Sequence, residues 1–475
     1  MTGQKHVAII GAGPGGYVAA IRAAQLGARV TVVENQALGG VCLNWGCIPS
    51  KALLSVVDLG ERAKKAADLG LKLNGSIGYD WARKVSRKNT VVSGLVKGIG
   101  TLFTTWGIEH LPGTGAFLDE RTIQVVHRDG TEQRVSADAV IIATGSSWPN
   151  LPLFPVDGRQ ILTSKEALDL TEIPASLLII GGGVEGCEFA SLYSGMGTHV
   201  FLIELMPRIL PLEDEEIASM LARQLKKQGV EIRTGTTVEQ LKRQDGTVTV
   251  SLKDGTTVAA EKLLVSVGRS FNSEDMGLEK VGVQLGTRGE IFINDRLETT
   301  VPGIYAIGDV TGKSMLAHVA SAQGKVAVEN IMGHPREINY YVVPAGIFTL
   351  PEIGRVGLTE QQARERSKTL GTTHETAIKV GRFRYAGLGK AQAVGETNGL
   401  FKIIADATTD TILGVHIIGP HAADLIHEAA LAMQMGAKAS DVAGMIHAHP
   451  TLSEGIMEAA EDLEGLAIHL ARKRT

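Results

Sequence analysis

KHVAIIGAGPGGYVAAIRAAQLGARVTVVE, residues 5–34, and ASLLIIGGGVEGCEFASLYSGMGTHVFLIE, residues 175–204, align over 30 positions without a gap. Self-similarity of this kind is an internal repeat. Each copy reads as a buried apolar strand, a Gly-x-Gly-x-x-Gly turn, an Ala- or Ser-rich helix, a second strand and a terminal Glu. The glycines are Gly11, Gly13 and Gly16 ahead of Glu34, then Gly181, Gly183 and Gly186 ahead of Glu204. In such a unit the first Gly makes the tight turn, the second lets backbone approach a pyrophosphate, and the third lets helix and strand pack closely. The diphosphate sits on the helix N-terminus, where unpaired N–H groups and the helix dipole favour negative charge. The Glu is placed to accept hydrogen bonds from a ribose hydroxyl. A lone turn would be weak evidence. Two complete units with identical spacing predict an α/β chain with two Rossmann-like dinucleotide-binding domains.

Glu204 also selects the nucleotide. An acid there repels a 2′-phosphate, and the first cation after it, Arg208, comes only behind Leu205, Met206 and Pro207. The second site therefore reads as one for NAD(H) rather than NADP(H), with Arg208 an ordinary surface charge.

Directly after the first unit comes Gly39-Gly40-Val41-Cys42-Leu43-Asn44-Trp45-Gly46-Cys47-Ile48-Pro49-Ser50-Lys51. On an undistorted helix, residues five apart have Cα atoms roughly 8–9 Å apart. A disulfide needs about 4.4–6.8 Å. If these cysteines pair, the backbone between them is a turn or a distorted helix start, which Gly46 permits. Two buried unpaired thiols are the alternative. Three cysteines in 475 residues, the third being Cys187, make no secreted disulfide framework. Nor do they suit zinc, which wants four ligands at tighter spacing, so no metal is expected. Two dinucleotide sites beside a thiol pair suggest an electron path from nicotinamide through a flavin to a disulfide.

At this point the chain resembles the FAD-dependent pyridine nucleotide–disulfide oxidoreductases, most closely their dihydrolipoamide dehydrogenase branch, over nearly its whole length. The motifs that carry the resemblance are Gly39–Lys51, the two nucleotide turns, Ala143-Thr144-Gly145, Ala306-Ile307-Gly308-Asp309-Val310 and His447-Ala448-His449-Pro450-Thr451-Leu452-Ser453-Glu454. The resemblance implies a Cys42–Cys47 redox disulfide, Cys42 exchanging with substrate and Cys47 facing the flavin. It implies that Lys51 lies near the flavin and pairs with Glu185. It gives Asp309 to the ribityl chain of FAD, Thr144 and Gly145 to the crossover between domains, and Gly268, in Ser266-Val267-Gly268-Arg269, to the return. His449 is the implied base, oriented by Glu454 and contributed across a homodimer; a base near neutral pKa is what thiol–disulfide exchange requires. His447 takes a structural or flavin-edge role, and His421 and His427 read as interface residues.

The implied activity is oxidation of protein-bound dihydrolipoamide by NAD+, within a 2-oxoacid dehydrogenase or glycine cleavage system. The lipoyl group would come from a partner acyltransferase or lipoyl carrier. Glutathione reductases share the cysteine pair but carry Arg where Glu204 stands. Mercuric reductases and the larger thioredoxin reductases need further C-terminal cysteines or selenocysteine, and no cysteine follows Cys187. Trp45 and Ser270-Phe271-Asn272 depart from the usual pattern. A net charge of -4 gives no electrostatic reason to expect nucleic acid. No apolar run in the sequence approaches the ~18–20 residues of a membrane span. With the first strand opening near residue 6, no signal peptide is expected, and the location is read as cytoplasmic. The expected domains are FAD-binding at 1–149 and again at 272–345, NAD-binding at 150–271, and an α+β dimerisation domain at 346–475. Strands are expected at 400–405 and 411–418, and helices at 51–70, 87–105 and 422–436.

Overall fold

Val7, Ala8 and Ile9 have no solvent exposure, which marks the strand His6–Ile10 as the centre of a parallel sheet covered on both faces. The computed structural model describes residues 4–72, 74–244, 246–369 and 378–471. The sheet has seven strands, in the order Ile304–Ala306, Ala139–Ile142, His6–Ile10, Arg29–Glu34, Glu109–Asp119, Thr122–His127, Glu132–Ser136. Ile9 lies opposite Val32 on one side and Ile141 on the other. The last three strands fold back as an antiparallel meander. Between the first two strands in sequence runs the helix Pro14–Gln25, opened by Pro14, whose missing N–H costs nothing at a helix start. The helix Ala317–Ile331 packs so closely on it that a Cβ at Gly324 would lie 2.6 Å from the Gly15 carbonyl.

The second copy builds the second sheet. Its parallel strands run Glu231–Thr234, His199–Glu204, Ser176–Ile180, Lys262–Val265, Ile161–Leu162, with Leu177, Leu178 and Ile179 fully buried. A three-stranded meander, Val238–Gln244, Thr247–Leu252, Thr257–Ala260, lies beside it. The chain passes between the two sheets at Ser146–Ser147 and Ser270–Phe271, which pair antiparallel.

The third sheet is antiparallel: Ala345–Ile347, Ile353–Gly357, Ile412–Ile418, Leu400–Asp406, Ile378–Arg384. Helices Ala422–Met435 and Glu454–Asp462 lie against it, the latter with Gly455 hard on the Phe401 ring. This is the predicted α/β architecture, two Rossmann-like domains and an α+β domain.

Two helices begin earlier than their apolar pattern suggests. One runs Cys47–Lys64 and gives way to a 3-10 turn at Ala66–Leu69; the other runs Trp81–Thr105. Asp80 caps the second by accepting the Arg83 N–H at 2.9 Å. The stretch Gly40–Lys64 is long and apolar enough on average to cross a membrane. It is, however, two helices broken at Gly46, and it buries Leu53, Leu54 and Val57 in the protein core.

Candidate active site

Cys42 is the third residue of the helix Gly40–Trp45, and Cys47 opens the next helix. Gly46 breaks the helix between them, so the Cα atoms stand 4.7 Å apart and the sulfurs are bonded. A side chain at Gly46 would sit 3.2 Å from the Val41 carbonyl, leaving no slack for a larger residue. Asn44 pins the loop by donating to the Leu38 and Gly40 carbonyls, each at 3.0 Å. The other thiol, Cys187, is fully buried, and burial pushes it far above the usual thiol range. On reduction, Cys47 Sγ lies at a helix N-terminus, whose dipole and free N–H groups stabilise a thiolate.

Lys51 stands one turn beyond Cys47, and its partner differs from the expected one. Its Nζ donates to both oxygens of Glu188, at 2.9 and 2.7 Å, and lies 4.6 Å from the centre of the Phe348 ring. Glu185 makes a different contact, accepting the Ser266 hydroxyl at 3.1 Å. The reason is helical geometry. Glu185 belongs to the first turn of the helix Val184–Gly195. Glu188 stands about 4.5 Å further along the axis, roughly 60° round from it. That rotation turns it onto the face packed against the helix Cys47–Lys64, where Gly195 meets Val57. Glu188 also accepts the Phe348 N–H at 3.0 Å, tying Lys51 to the C-terminal domain.

The two Gly-rich turns have matching geometry. Gly11 and Gly181 adopt φ of +102° and +105°, and a Cβ on either would collide with the carbonyl of Ala143 or Ser266. Gly16 and Gly186 bring helix and strand together in the same way, each facing the carbonyl of its own first glycine. Glu34 accepts the Ala12 N–H at 2.7 Å, and Glu204 the Gly182 N–H at 2.6 Å. Gly13 differs from Gly183. A Cβ on Gly40 would lie 2.7 Å from the Gly13 Cα, so the disulfide loop touches the first phosphate turn, whereas Gly183 faces open space. Both cradles fit a dinucleotide: bare backbone, an N-terminal helix end and a carboxylate beyond it. Arg208 is no free surface charge. It donates to the Pro211 and Glu213 carbonyls at 3.0 and 3.1 Å, held by its own loop.

At the crossover, Thr144 donates to the Asn272 carbonyl at 2.6 Å, while Gly145 and Gly268 both have positive φ. Arg269 bridges the two halves. It donates to the Ser146 carbonyl at 2.6 Å and hydroxyl at 3.1 Å, with its guanidinium 4.6 Å from the Trp148 ring centre. Ser146 in turn donates to Asp309 at 2.5 Å. Burial pushes the Asp309 carboxyl up, and the Ser146 hydroxyl and Arg269 offset only part of that. Sequence reading missed this relay and Glu188. Glu188 had a signal: it stands between Cys187 and Phe189 in the buried middle of its helix, where a charge demands a partner.

His449 Nδ1 lies 2.8 Å from Glu454 Oε1, and the other oxygen accepts the Thr451 N–H at 2.8 Å. Burial raises the Glu454 carboxyl, but the Thr451 N–H and the His449 ring outweigh it and hold it below the usual carboxylate range. The His449 side chain is 75% exposed and that of Glu454 16%, so the imidazole faces outward from a carboxylate held in the protein. Neither His449 nor Glu454 bonds to Cys42 or Cys47 within the chain. His447 is buried between Glu428 and the Met445 carbonyl, a structural setting.

A disulfide seated against one dinucleotide cradle, in a chain that carries a second, defines a class of protein, and comparison with known sequences identifies it. The chain belongs to the pyridine nucleotide-disulphide oxidoreductase family: residues 5–324 match that family and residues 343–460 its dimerisation domain. It is 41% identical to a dihydrolipoyl dehydrogenase of Geobacillus stearothermophilus over 99% of this chain and 98% of that one. With a dihydrolipoyl dehydrogenase of Bacillus subtilis the identity is 43%, over 99% and 100%. Among solved structures, LpdA of Mycobacterium tuberculosis superposes with a TM-score of 0.89 at 29% identity, covering 97% of this chain and 99% of that one.

Proposed function

We propose that the protein oxidises protein-bound dihydrolipoamide with NAD+, as the flavoprotein of a cytoplasmic 2-oxoacid dehydrogenase or glycine cleavage system. The observation that carries this is the Cys42–Cys47 bond, closed across Gly46 directly beside the first phosphate turn. In this reading residues 1–149 and 272–345 bind FAD, 150–271 bind NAD, and 346–475 pair two copies. Gly11, Gly13, Gly16, Glu34, Thr144, Gly145 and Asp309 hold FAD. Gly181, Gly183, Gly186, Glu204 and Gly268 hold NAD. Bound FAD supplies two-electron transfer between a thiolate and a nicotinamide.

The chain's own residues handle sulfur and protons. His449 of one subunit takes a proton from a lipoyl thiol presented to the partner's disulfide. The resulting thiolate attacks Cys42 Sγ, forming a mixed disulfide and releasing Cys47 as a thiolate. The second lipoyl sulfur then attacks the lipoyl sulfur of the mixed disulfide and closes the lipoyl ring, its proton passing to the departing Cys42 sulfur, which leaves as a thiol while His449 keeps the first proton. Glu454 holds the imidazole in orientation and stabilises its protonated form. In this reading Lys51 lies near the flavin, and Glu188 fixes its position. The outward-facing His449 imidazole supports its use across a dimer. Cys47→Ser and His449→Ala are each expected to lower dihydrolipoamide turnover to near background while FAD stays bound. Near-wild-type turnover in either variant overturns the assignment.

A further inference from the structure

Glu185 has no counterpart in the repeat: the matching position of the first copy is Gly15. Gly15 is packed against Ile307 and the Ala320 carbonyl, whereas Glu185 is half-exposed. An acid in the first turn of a helix that receives a diphosphate opposes that ligand. Lys51 does not account for it, since Lys51 is paired with Glu188. Ser266 donates to Glu185 Oε2 at 3.1 Å, and among the described residues Oε1 accepts no hydrogen bond. Arg269 lies near enough for its charge to act on Glu185, as it does on Asp309, but makes no hydrogen bond to it: the guanidinium donates to Ser146 and lies on the Trp148 face, so Glu185 Oε1 stays open to a ligand.

Sheet order locates the carboxylate along the ligand. Glu204 ends the strand on one side of Ser176–Ile180, and Ser266 follows the strand on the other side. A dinucleotide with its adenosine ribose at Glu204 and its diphosphate at Gly181–Gly186 carries its second nucleoside over Ser266–Gly268. That surface is open. Val184 and Val267 are 43% and 42% exposed, and Gly183 and Gly268 have no neighbour within 4 Å of an added Cβ. It is also the side joined to Asp309 through Arg269 and Ser146. The oxidised nicotinamide ring carries a positive charge and the reduced ring none.

We propose that Glu185 is a specificity-determining residue that favours the cationic ring of NAD+ over the neutral ring of NADH. The inference rests on reading the second turn as the NAD site. It makes Glu185 a bias toward acceptor binding and product release in the NAD+-reducing direction.

The test is titration calorimetry on oxidised, FAD-loaded wild type, Glu185→Gln and Glu185→Asp. The probes are NAD+, a neutral non-reducing tetrahydronicotinamide analogue and ADP-ribose. In Glu185→Gln, NAD+ is expected to bind roughly two- to fivefold more weakly, the upper part of the range for a partly solvated charge contact. The neutral analogue and ADP-ribose should change by less than about twofold on the same scale. Glu185→Asp, which keeps the charge, should recover part of the NAD+ affinity. Equal changes for NAD+ and the neutral analogue, or unchanged NAD+ binding, overturn the proposal. Wild type that binds neither ADP-ribose nor NAD+ removes the site reading, and this inference falls with it.

Discussion

Exchanging Glu188 for Gln removes the charge that faces Lys51 while keeping the side-chain volume. Three hydrogen bonds converge on that carboxylate: two from Lys51 at 2.9 and 2.7 Å, and one from the Phe348 N–H at 3.0 Å. Removing one partner of a buried ion pair costs about 3–5 kcal/mol, because the other charge is stranded. The Glu188 side chain is 8% exposed but Lys51 is 29% exposed, so water relieves part of that penalty. We therefore expect about 1–3 kcal/mol for Glu188→Gln. A double-mutant cycle isolates the pair. Lys51→Met with Glu188→Gln should show a coupling of about 1–2 kcal/mol, and Lys51→Met with Glu185→Gln less than about 0.5. The assay is urea unfolding of the FAD-loaded protein, read from flavin emission at the transition that releases the cofactor. Coupling of Lys51 to Glu185, with none to Glu188, would show that Glu185 and not Glu188 is the partner of Lys51.

Lys402 is 3% exposed and meets Asp214 at 2.8 Å, Glu360 at 2.9 Å and Glu216 at 3.2 Å. Burial raises Asp214 and Glu360, but Lys402, joined by His416 and the Glu360 N–H at Asp214 and by Arg364 and Arg382 at Glu360, outweighs it and holds both below the ordinary range. Groups so depressed stabilise the fold above their unfolded pKa near ~4, and the contribution is lost as pH falls through the lower folded values. Burial lowers Lys402, yet the same acids hold it above its ordinary value, so its contribution fades only in strong alkali. Lys402→Met should cost about 3–5 kcal/mol near neutral pH and lose less stability than wild type on acidification. Melting temperature against pH checks this; parallel profiles would contradict it. Glu454→Gln should lower kcat/KM for dihydrolipoamide about 10–100-fold, part of the ~10²–10⁴ a positioned base supplies, with FAD content unchanged. Glu204→Ser should shift the NAD+:NADP+ ratio of kcat/KM toward NADP+. The ratio is the readout because Glu204 also holds the Gly182 and Met206 N–H groups.

The repeated unit was legible because each part has its own local cause: apolar strand, glycine turn and terminal acid. The Cys42–Cys47 loop was legible as a conditional, since Gly46 permitted the break that the structure makes. What could not be read was the pairing across helices. Glu185 and Glu188 sit on one helix three residues apart, and the face that packs on the helix of Lys51, Gly195 against Val57, is the one that carries Glu188. The Arg269–Ser146–Asp309 relay joins residues up to 163 positions apart through the two crossover strands, and spacing carries no trace of it. Arg208 failed for the opposite reason: its partners are carbonyls of its own loop, which any residue type could supply.

Dihydrolipoamide oxidation is tested by steady-state NAD+ reduction with purified, FAD-loaded protein, with NADP+ and glutathione as parallel substrates. Rapid turnover with NAD+, little with NADP+ and none with glutathione is expected. A silent dihydrolipoamide reaction from protein whose Cys42–Cys47 bond is reducible would contradict this activity and assign the disulfide to another substrate.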